Sequence, residues 1–545
     1  MAGLAGRAVY LQIINVQFLQ QQGDIRHVGV VPVSAYRGKI LDRNNEPLAI
    51  STPVESVWVN PQHLKREQIG KFKQVAKLLK VPAKKVKKLL KAGSNIRFSY
   101  LKRRITPKLT EKIKLLKVSG VYFLREFRRY YPVGIVSAHV VGFTDIDDVG
   151  LEGMEHYKES TLRGVAGKKR VIRDGKRQVI KEKDIENIKD PISGQDLVLS
   201  IDQRIQYLAY RELQKAVKKY KAVSASLVVM DAKNGEVLAV VNQPSFNPNT
   251  KKGLKAGLYR NRAILDVFEP GSTVKPFVIA AALDGGYIND NTKIETHGFY
   301  RVGRNLVKDV HNYGTLDLMH ILKKSSNVAI SKIALKMPAE YFWNSYKQLG
   351  FGESAHIGFP GEAKGELLSY RKWRDFEQAT MSYGYGVSSS VLQLARAYTA
   401  LADDGVLHSV SLLKRQQDFD SRRVFRTETA RKVIAMLEHV VKKGGTAYKA
   451  RVDGYRVAGK TGTVKKATVG GYADDKYVAI FVGLAPVSNP RFVIAVMVDE
   501  PRAEEYYGGL VAAPIFSKVM AGVLRVYGVA PDKEETMPVL LTRSE

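Results

Sequence analysis

Ser272 and Lys275 stand one helical turn apart in Asp266-Val267-Phe268-Glu269-Pro270-Gly271-Ser272-Thr273-Val274-Lys275-Pro276-Phe277, and the chain runs on as Val278-Ile279-Ala280-Ala281-Ala282-Leu283. At positions i and i+3 the two side chains share one helix face. Unpaired N–H groups at a helix start favour developing negative charge. If the helix buries Val278, Ile279 and Leu283, the Lys275 ammonium loses water and its pKa falls, and a neutral amine can take a serine proton. Pro276 lies in the first turn, where it forfeits little hydrogen bonding. The same spacing recurs at Ser99/Lys102, Ser369/Lys372 and Ser411/Lys414. The bare pattern therefore fits an ordinary helix start as well as a nucleophile. None of the three repeats has both a Pro-Gly entry and an apolar helix behind it.

Two later motifs separate the readings. Ser325-Ser326-Asn327 comes 53 residues after Ser272, behind the helix-like stretch Leu316–Leu322. Lys460-Thr461-Gly462-Thr463 comes 135 residues after Ser325, beside the strand-like Tyr455, Val457 and Val464. Ser-x-Asn also occurs at Ser245/Asn247, whereas Lys-Thr-Gly occurs once. The ordered set Ser-x-x-Lys, Ser-x-Asn, Lys-Thr-Gly is the motif series of penicillin-binding proteins and serine β-lactamases.

These residues need elements to hold them. Asp202 can cap a helix from Gln203 to Val217, where Ile205, Leu208, Leu213 and Val217 recur at helical spacing. Ala225–Met230 and Glu236–Val241 read as a hairpin, Tyr477–Leu484 and Phe492–Val498 as two more strands. Helical stretches such as Leu392–Leu401 and Thr429–Val441 lie between them. The expected architecture is α+β, an antiparallel sheet faced by helices. Ahead of it, residues 36–50 read as two strands around a turn at Asp42–Asn45, and several Gly residues between 134 and 164 suggest an irregular β-rich domain. The expected boundaries are a membrane-proximal stub at 1–30, an elongated β-rich N-terminal pedestal at 31–195, the catalytic domain at 196–530 and a polar tail at 531–545. Residues 1–20 are too short and interrupted to span a bilayer; the end of a membrane helix and an ordinary amphipathic helix both fit.

The 545 residues include no cysteine, which excludes disulfides and thiolate metal sites. The His residues are scattered without a close ligand pair, so no metal and no cofactor is expected. His139 reads as structural more readily than catalytic, since no nucleophile lies near it in sequence. A formal charge of +34 favours anionic partners. Lys65 to Arg104, the densest basic run, reads as short amphipathic helices without an aromatic stacking platform. It fits a solvated basic face, and no nucleic-acid partner is expected.

Several stretches match a known family more fully. Phe268 to Pro276, Lys324-Ser325-Ser326-Asn327-Val328, Gly384-Tyr385-Gly386 with Leu392-Gln393-Leu394-Ala395, and Tyr506-Tyr507-Gly508-Gly509 resemble class B penicillin-binding proteins. Arg37-Gly38 to Ala49 and Gly150–Glu155 resemble the pedestal of that family, so the similarity covers nearly the whole chain. Asn327, where elongation-type relatives usually carry Asp, points to the septal D,D-transpeptidase branch. The resemblance implies a serine acyl-enzyme. Ser272 would attack a D-Ala-D-Ala stem peptide or a β-lactam, with Lys275 as base. Ser325 would relay a proton to the leaving amine while Lys460 keeps the local potential positive. Asn327 would bind the substrate amide, and the strand Thr461-Gly462-Thr463 its terminal carboxylate. The N–H groups of Ser272 and Thr463 would form the oxyanion hole. Tyr506 and Tyr507 fit an aromatic wall or core packing equally. Strand alternation puts Lys460 on the face opposite Thr461 and Thr463, which leaves open how it reaches Ser325. The resemblance also implies an inner-membrane protein with its catalytic domain in the periplasm, working with division proteins such as the glycan polymerase FtsW. The chain departs from the family at Ser390-Val391, where Thr-Pro is usual, and at Asn44-Asn45, where Asn-Gly is usual.

Three readings compete. A transpeptidase resolves the acyl-enzyme with a neighbouring amine. A hydrolase resolves it with water, often positioned by a carboxylate for which the sequence offers no clear candidate. A non-catalytic basic scaffold is not labelled by penicillin at all.

Overall fold

The computed structural model describes residues 2–18, 28–91, 95–172, 186–250, 255–416, 419–468 and 471–533. The C-terminal half is built on one five-stranded sheet. In chain order its elements are α1 (Gln203–Tyr220), β1 (Ser224–Asp231), β2 (Val237–Gln243), α2 (Lys275–Asp284), α3 (Leu318–Lys324), α4 (Asn327–Ala334), α5 (Val391–Ala402), α6 (Thr427–Val441), β3 (Ala458–Thr468), β4 (Gly471–Ala485), β5 (Phe492–Asp499) and α7 (Ala513–Val526). The strand order is β2-β1-β5-β4-β3, antiparallel throughout, which leaves β3 at an edge. Helices α1 and α7 cover one face, α5 and α6 the other. Every residue of β1 and β2 is accordingly buried, which explains continuous apolar runs in place of alternation.

Local chemistry sets the helix ends. Asp202 accepts from Arg204 N and caps α1. Ser390 caps α5 in a reciprocal capping box with Gln393, so serine suffices to start this helix. Asn45 takes φ +67°, a left-handed conformation that asparagine tolerates better than most residues, and Asp42 holds the turn through Asn44 N and Glu46 N.

In the N-terminal half, Pro47–Val59 pairs with Ile40–Leu41, Ser99–Ile105 and Val121–Tyr130. Ile40–Leu41 also pairs in parallel with Leu197–Val198, tying this sheet to the start of the C-terminal half. The motif residues Arg37 and Glu155 meet in a buried ion pair at 2.7 Å, and Arg129 Nε reaches the same carboxylate at 2.6 Å. The basic run is not all helical. Ile69–Leu78 and Ala83–Leu90 are helices, but Ser99–Ile105 is a strand because Leu101 and Ile105 pair inward onto Val57, Val59 and Phe72. Gly167–Ile172 pairs with Glu186–Lys189, and the stretch between them lies outside the described residues. His139 is buried, and its Nε2 donates to Leu258 O at 2.9 Å. Burial pushes its pKa down to about 4.

At the N-terminus, a helix at Ala2–Val9 runs into a π-helical turn at Tyr10–Ile14. Among the described residues no helix is long and apolar enough to cross a membrane. The polar tail lies almost wholly outside the described residues.

Candidate active site

Ser272 does not open the α-helix directly. It sits on a 3₁₀ turn, Gly271–Val274, and α2 begins at Lys275. The turn is tight for a steric reason. Gly271 has φ +54°, a Cβ there would lie 2.4 Å from Val464 Cγ2, and a Cβ on Gly384 would lie 2.2 Å from Gly271 O. Behind it, Lys275 to Leu283 are all buried, as befits a helix that is apolar all round. Lys275 is 0 % exposed.

The second motif is a junction between two helices. Ser325 ends α3 with φ +61° and ψ 40°, a left-handed conformation unusual for a residue with a side chain. That bend turns both its carbonyl and its hydroxyl toward Lys275, whose Nζ donates to Ser325 O at 2.6 Å, Ser325 Oγ at 3.2 Å and Asn327 Oδ1 at 2.7 Å. Ser326 caps α4 through Ala329 N. Asp309, which the sequence does not single out, fixes the junction. Its carboxylate accepts from Ser326 Oγ at 2.5 Å, Asn327 N at 2.5 Å and Val328 N at 3.1 Å.

The third motif lies on edge strand β3. Lys460 is also fully buried, and its Nζ donates to Ser325 Oγ at 2.9 Å and to Thr461 O at 3.2 Å. This answers how the lysine reaches its target. Among the described residues no further strand pairs with β3 beyond β4, so its outer edge is free of a ladder and the Lys460 amine meets Ser325 there. Thr461 Oγ1 donates to Thr446 Oγ1 at 2.9 Å, and Thr463 Oγ1 accepts from Gly508 N at 3.0 Å. The Gly508 backbone lies directly on this strand, for a Cβ there would meet Gly462 O at 2.3 Å. Tyr506 and Tyr507 are not core residues. Tyr506 stacks between Tyr477 at 4.3 Å and Tyr507 at 4.4 Å, and Tyr507 is 53 % exposed.

Three segments far apart in the chain thus converge on the Ser325 hydroxyl, which faces two lysine amines. Two ammonium groups there would repel each other without water to screen them. Burial, reinforced by Lys460, lowers the Lys275 pKa far below its usual range, against a smaller opposing pull from Asp309. Burial brings Lys460 down to about 7. The site can therefore hold a neutral amine one turn from a half-buried serine, with a hydroxyl placed to pass protons on. Among the described residues no cluster of His, Asp or Glu has the form of a metal site.

Asp309 and Thr446 escape a reading by motif because each is a single residue in a loop. What shows their part is which groups they bond.

Known proteins supply an independent comparison. Residues 225–521 match the profile of the penicillin-binding protein transpeptidase domain, and residues 32–199 that of the penicillin-binding protein dimerisation domain. The chain is 44 % identical over 545 residues to a probable peptidoglycan D,D-transpeptidase PenA of Neisseria meningitidis, covering 100 % of this chain and 93 % of that protein. It is 41 % identical over 536 residues to the peptidoglycan D,D-transpeptidase FtsI of Escherichia coli K12, covering 98 % and 90 %. Among solved structures, the apo transpeptidase domain of Burkholderia pseudomallei penicillin-binding protein 3 is similar at 45 % identity. Its TM-score is 0.58, and the match covers 62 % of this chain and 98 % of that one.

Proposed function

The chain belongs to the class B penicillin-binding proteins of FtsI type, and from that premise we propose that Ser272 is its acylated nucleophile. The protein is a peptidoglycan D,D-transpeptidase of the division septum, and β-lactams acylate it. The reading of the site rests above all on one observation: Lys275, Asn327 and Lys460 gather at the Ser325 junction, with Ser272 one turn along the same helix as Lys275.

In this reading neutral Lys275 takes the Ser272 proton as Oγ attacks the carbonyl carbon of the penultimate D-Ala. The N–H groups of Ser272 and Thr463 stabilise the oxyanion. The proton passes through Ser325 Oγ to the leaving amine, and the terminal D-Ala departs. Lys460, whose pKa burial brings down to about 7, keeps the relay positive when protonated and lowers the Lys275 pKa further. Asn327 holds the substrate amide, and Thr461 and Thr463 its carboxylate along Gly462. Tyr506 and Tyr507 form an aromatic wall beside that strand. An amine of a second stem peptide then resolves the ester.

We assign residues 31–195 to the pedestal, 196–530 to the transpeptidase domain, 1–30 to a membrane-proximal segment and 531–545 to the tail. The likeness to FtsI-type relatives supports a catalytic domain facing the periplasm; we further propose anchoring at the inner membrane and FtsW among the partners.

Intact-mass measurement after penicillin treatment, with peptide mapping, tests the assignment. One adduct on the Ser272 peptide is expected, with none in Ser272→Ala. An adduct that survives this change refutes the nucleophile, and rapid loss of the adduct with penicillin turnover favours a hydrolase.

A further inference from the structure

A second cationic site lies far from this chemistry. Residues 65–117 carry nineteen Lys and Arg against two acidic residues, Glu67 and Glu111, so half of the formal +34 sits in about a tenth of the chain. Helix Ala83–Leu90 presents exposed Lys84, Lys87 and Lys88 at i, i+3 and i+4, a single stripe, while Leu89 is buried. Several nearby cations are paired, Arg103 with Glu126 and Asp147, Arg104 with Asp148, Lys114 with Glu55. Among the described residues no acidic side chain pairs with Lys84, Lys87 or Lys88. Between this helix and the start of strand Ser99–Ile105 runs an open groove of about 530 Å³, with Pro82, Leu89 and Ile96 as its floor and Lys84, Lys85 and Lys88 at its rim. Lys85 Nζ donates to Tyr100 O at 2.5 Å and holds helix and strand together. Phe98, between Ile96 and Ser99 in the chain, is 50 % exposed and packs on Trp58 at 4.7 Å, which in turn stacks on Tyr122 at 4.6 Å. The basic region does have an aromatic surface, made by residues distant in sequence.

We propose that this groove and its lysine rim bind an anionic phospholipid, headgroup on the lysines and acyl chain along the floor. Lysines act as point charges suited to a diffuse anionic surface, whereas bidentate recognition of one phosphate favours arginine. An aliphatic floor suits an acyl chain. Apart from the lysine rim, Ser99 is the one polar side chain in the lining, too few hydrogen-bonding groups for a run of sugar hydroxyls, which weighs against a wall polymer as occupant. Aromatic side chains with one exposed edge belong at the headgroup level of a bilayer. The inference goes beyond the transpeptidase reading and does not depend on it.

Cosedimentation of the full chain with vesicles of phosphatidylglycerol and phosphatidylcholine, against phosphatidylcholine alone, tests it. The expected result is stronger binding to the anionic vesicles that weakens with salt. Lys84→Gln/Lys87→Gln/Lys88→Gln should cut that anionic increment about tenfold or more, on the scale expected for basic residues near an anionic leaflet. Phe98→Ala should cut it about threefold, and this loss should persist at high salt. Penicillin labelling of both variants should stay at the wild-type rate, which separates a failure here from a failure of the acyl-enzyme reading. The proposal falls if phosphatidylglycerol adds nothing over phosphatidylcholine. It also falls if the triple variant binds like wild type, or if the protein binds soluble acidic wall polymer and no vesicles.

Discussion

Lysines in this chain occupy two opposite settings. Lys84, Lys87 and Lys88 are exposed to water. Lys275 and Lys460 are both 0 % exposed, and burial lowers the pKa of each. The side chain is the same, and hydration decides whether it serves as a charge or as a base. A charge can be moved or replaced by another charge with little loss. A base cannot, because its work depends on losing the proton.

Exchange for arginine breaks the comparison most sharply, since a guanidinium keeps its charge but does not deprotonate. Lys275→Arg should slow penicillin acylation by about 10³-fold or more, measured by stopped-flow labelling. The same exchange at Lys84, Lys87 and Lys88 should leave vesicle binding near wild type. Equal tolerance at both places would show that Lys275 acts only as a cation.

Lys460→Met should lower acylation by about 10- to 100-fold. It should also move the acid limb of the pH–rate profile upward, because removing a positive neighbour raises the Lys275 pKa. Asp309→Asn should act in the opposite direction on pH. Loss of its negative charge lowers the Lys275 pKa further and moves the acid limb downward, while a looser Ser326–Asn327 turn costs about tenfold in rate. Two variants shifting the limb the same way would contradict this electrostatic account.

The smallest effect is on stability. His139 has its folded-state pKa lowered to about 4, against about 6.5 when unfolded. Its contribution is complete above pH 6.5 and is lost as pH falls toward 4, up to about 3 kcal/mol. Urea unfolding of His139→Gln, which keeps an N–H donor, should show a shallower decline over that window.

The same contrast marks what can be read from sequence. Ser-x-x-Lys and Lys-Thr-Gly are legible because chemistry and backbone setting coincide within a few residues. Helices α1, α5 and α6 follow from their apolar patterning, and α1 also from its Asp202 cap. The reach of Lys460 is not legible, since alternation gives the face of a strand but not its place in a sheet. Asp309 is one carboxylate among many until the Ser326 and Asn327 groups are seen to point at it. The aromatic surface around Phe98 needs Trp58 and Tyr122, which stand 40 residues before it and 24 after it. The strand Ser99–Ile105, read as part of a helical run, owes its form to pairing with a partner some 45 residues earlier.

The left-handed bend at Ser325 has a practical consequence for dissecting the relay. Glycine adopts such a backbone without cost and alanine does not, so the two shortest replacements part company here. One empties the position while sparing its geometry; the other empties it and strains the link between two helices. Whatever separates them belongs to the main chain, and whatever they share belongs to the missing oxygen.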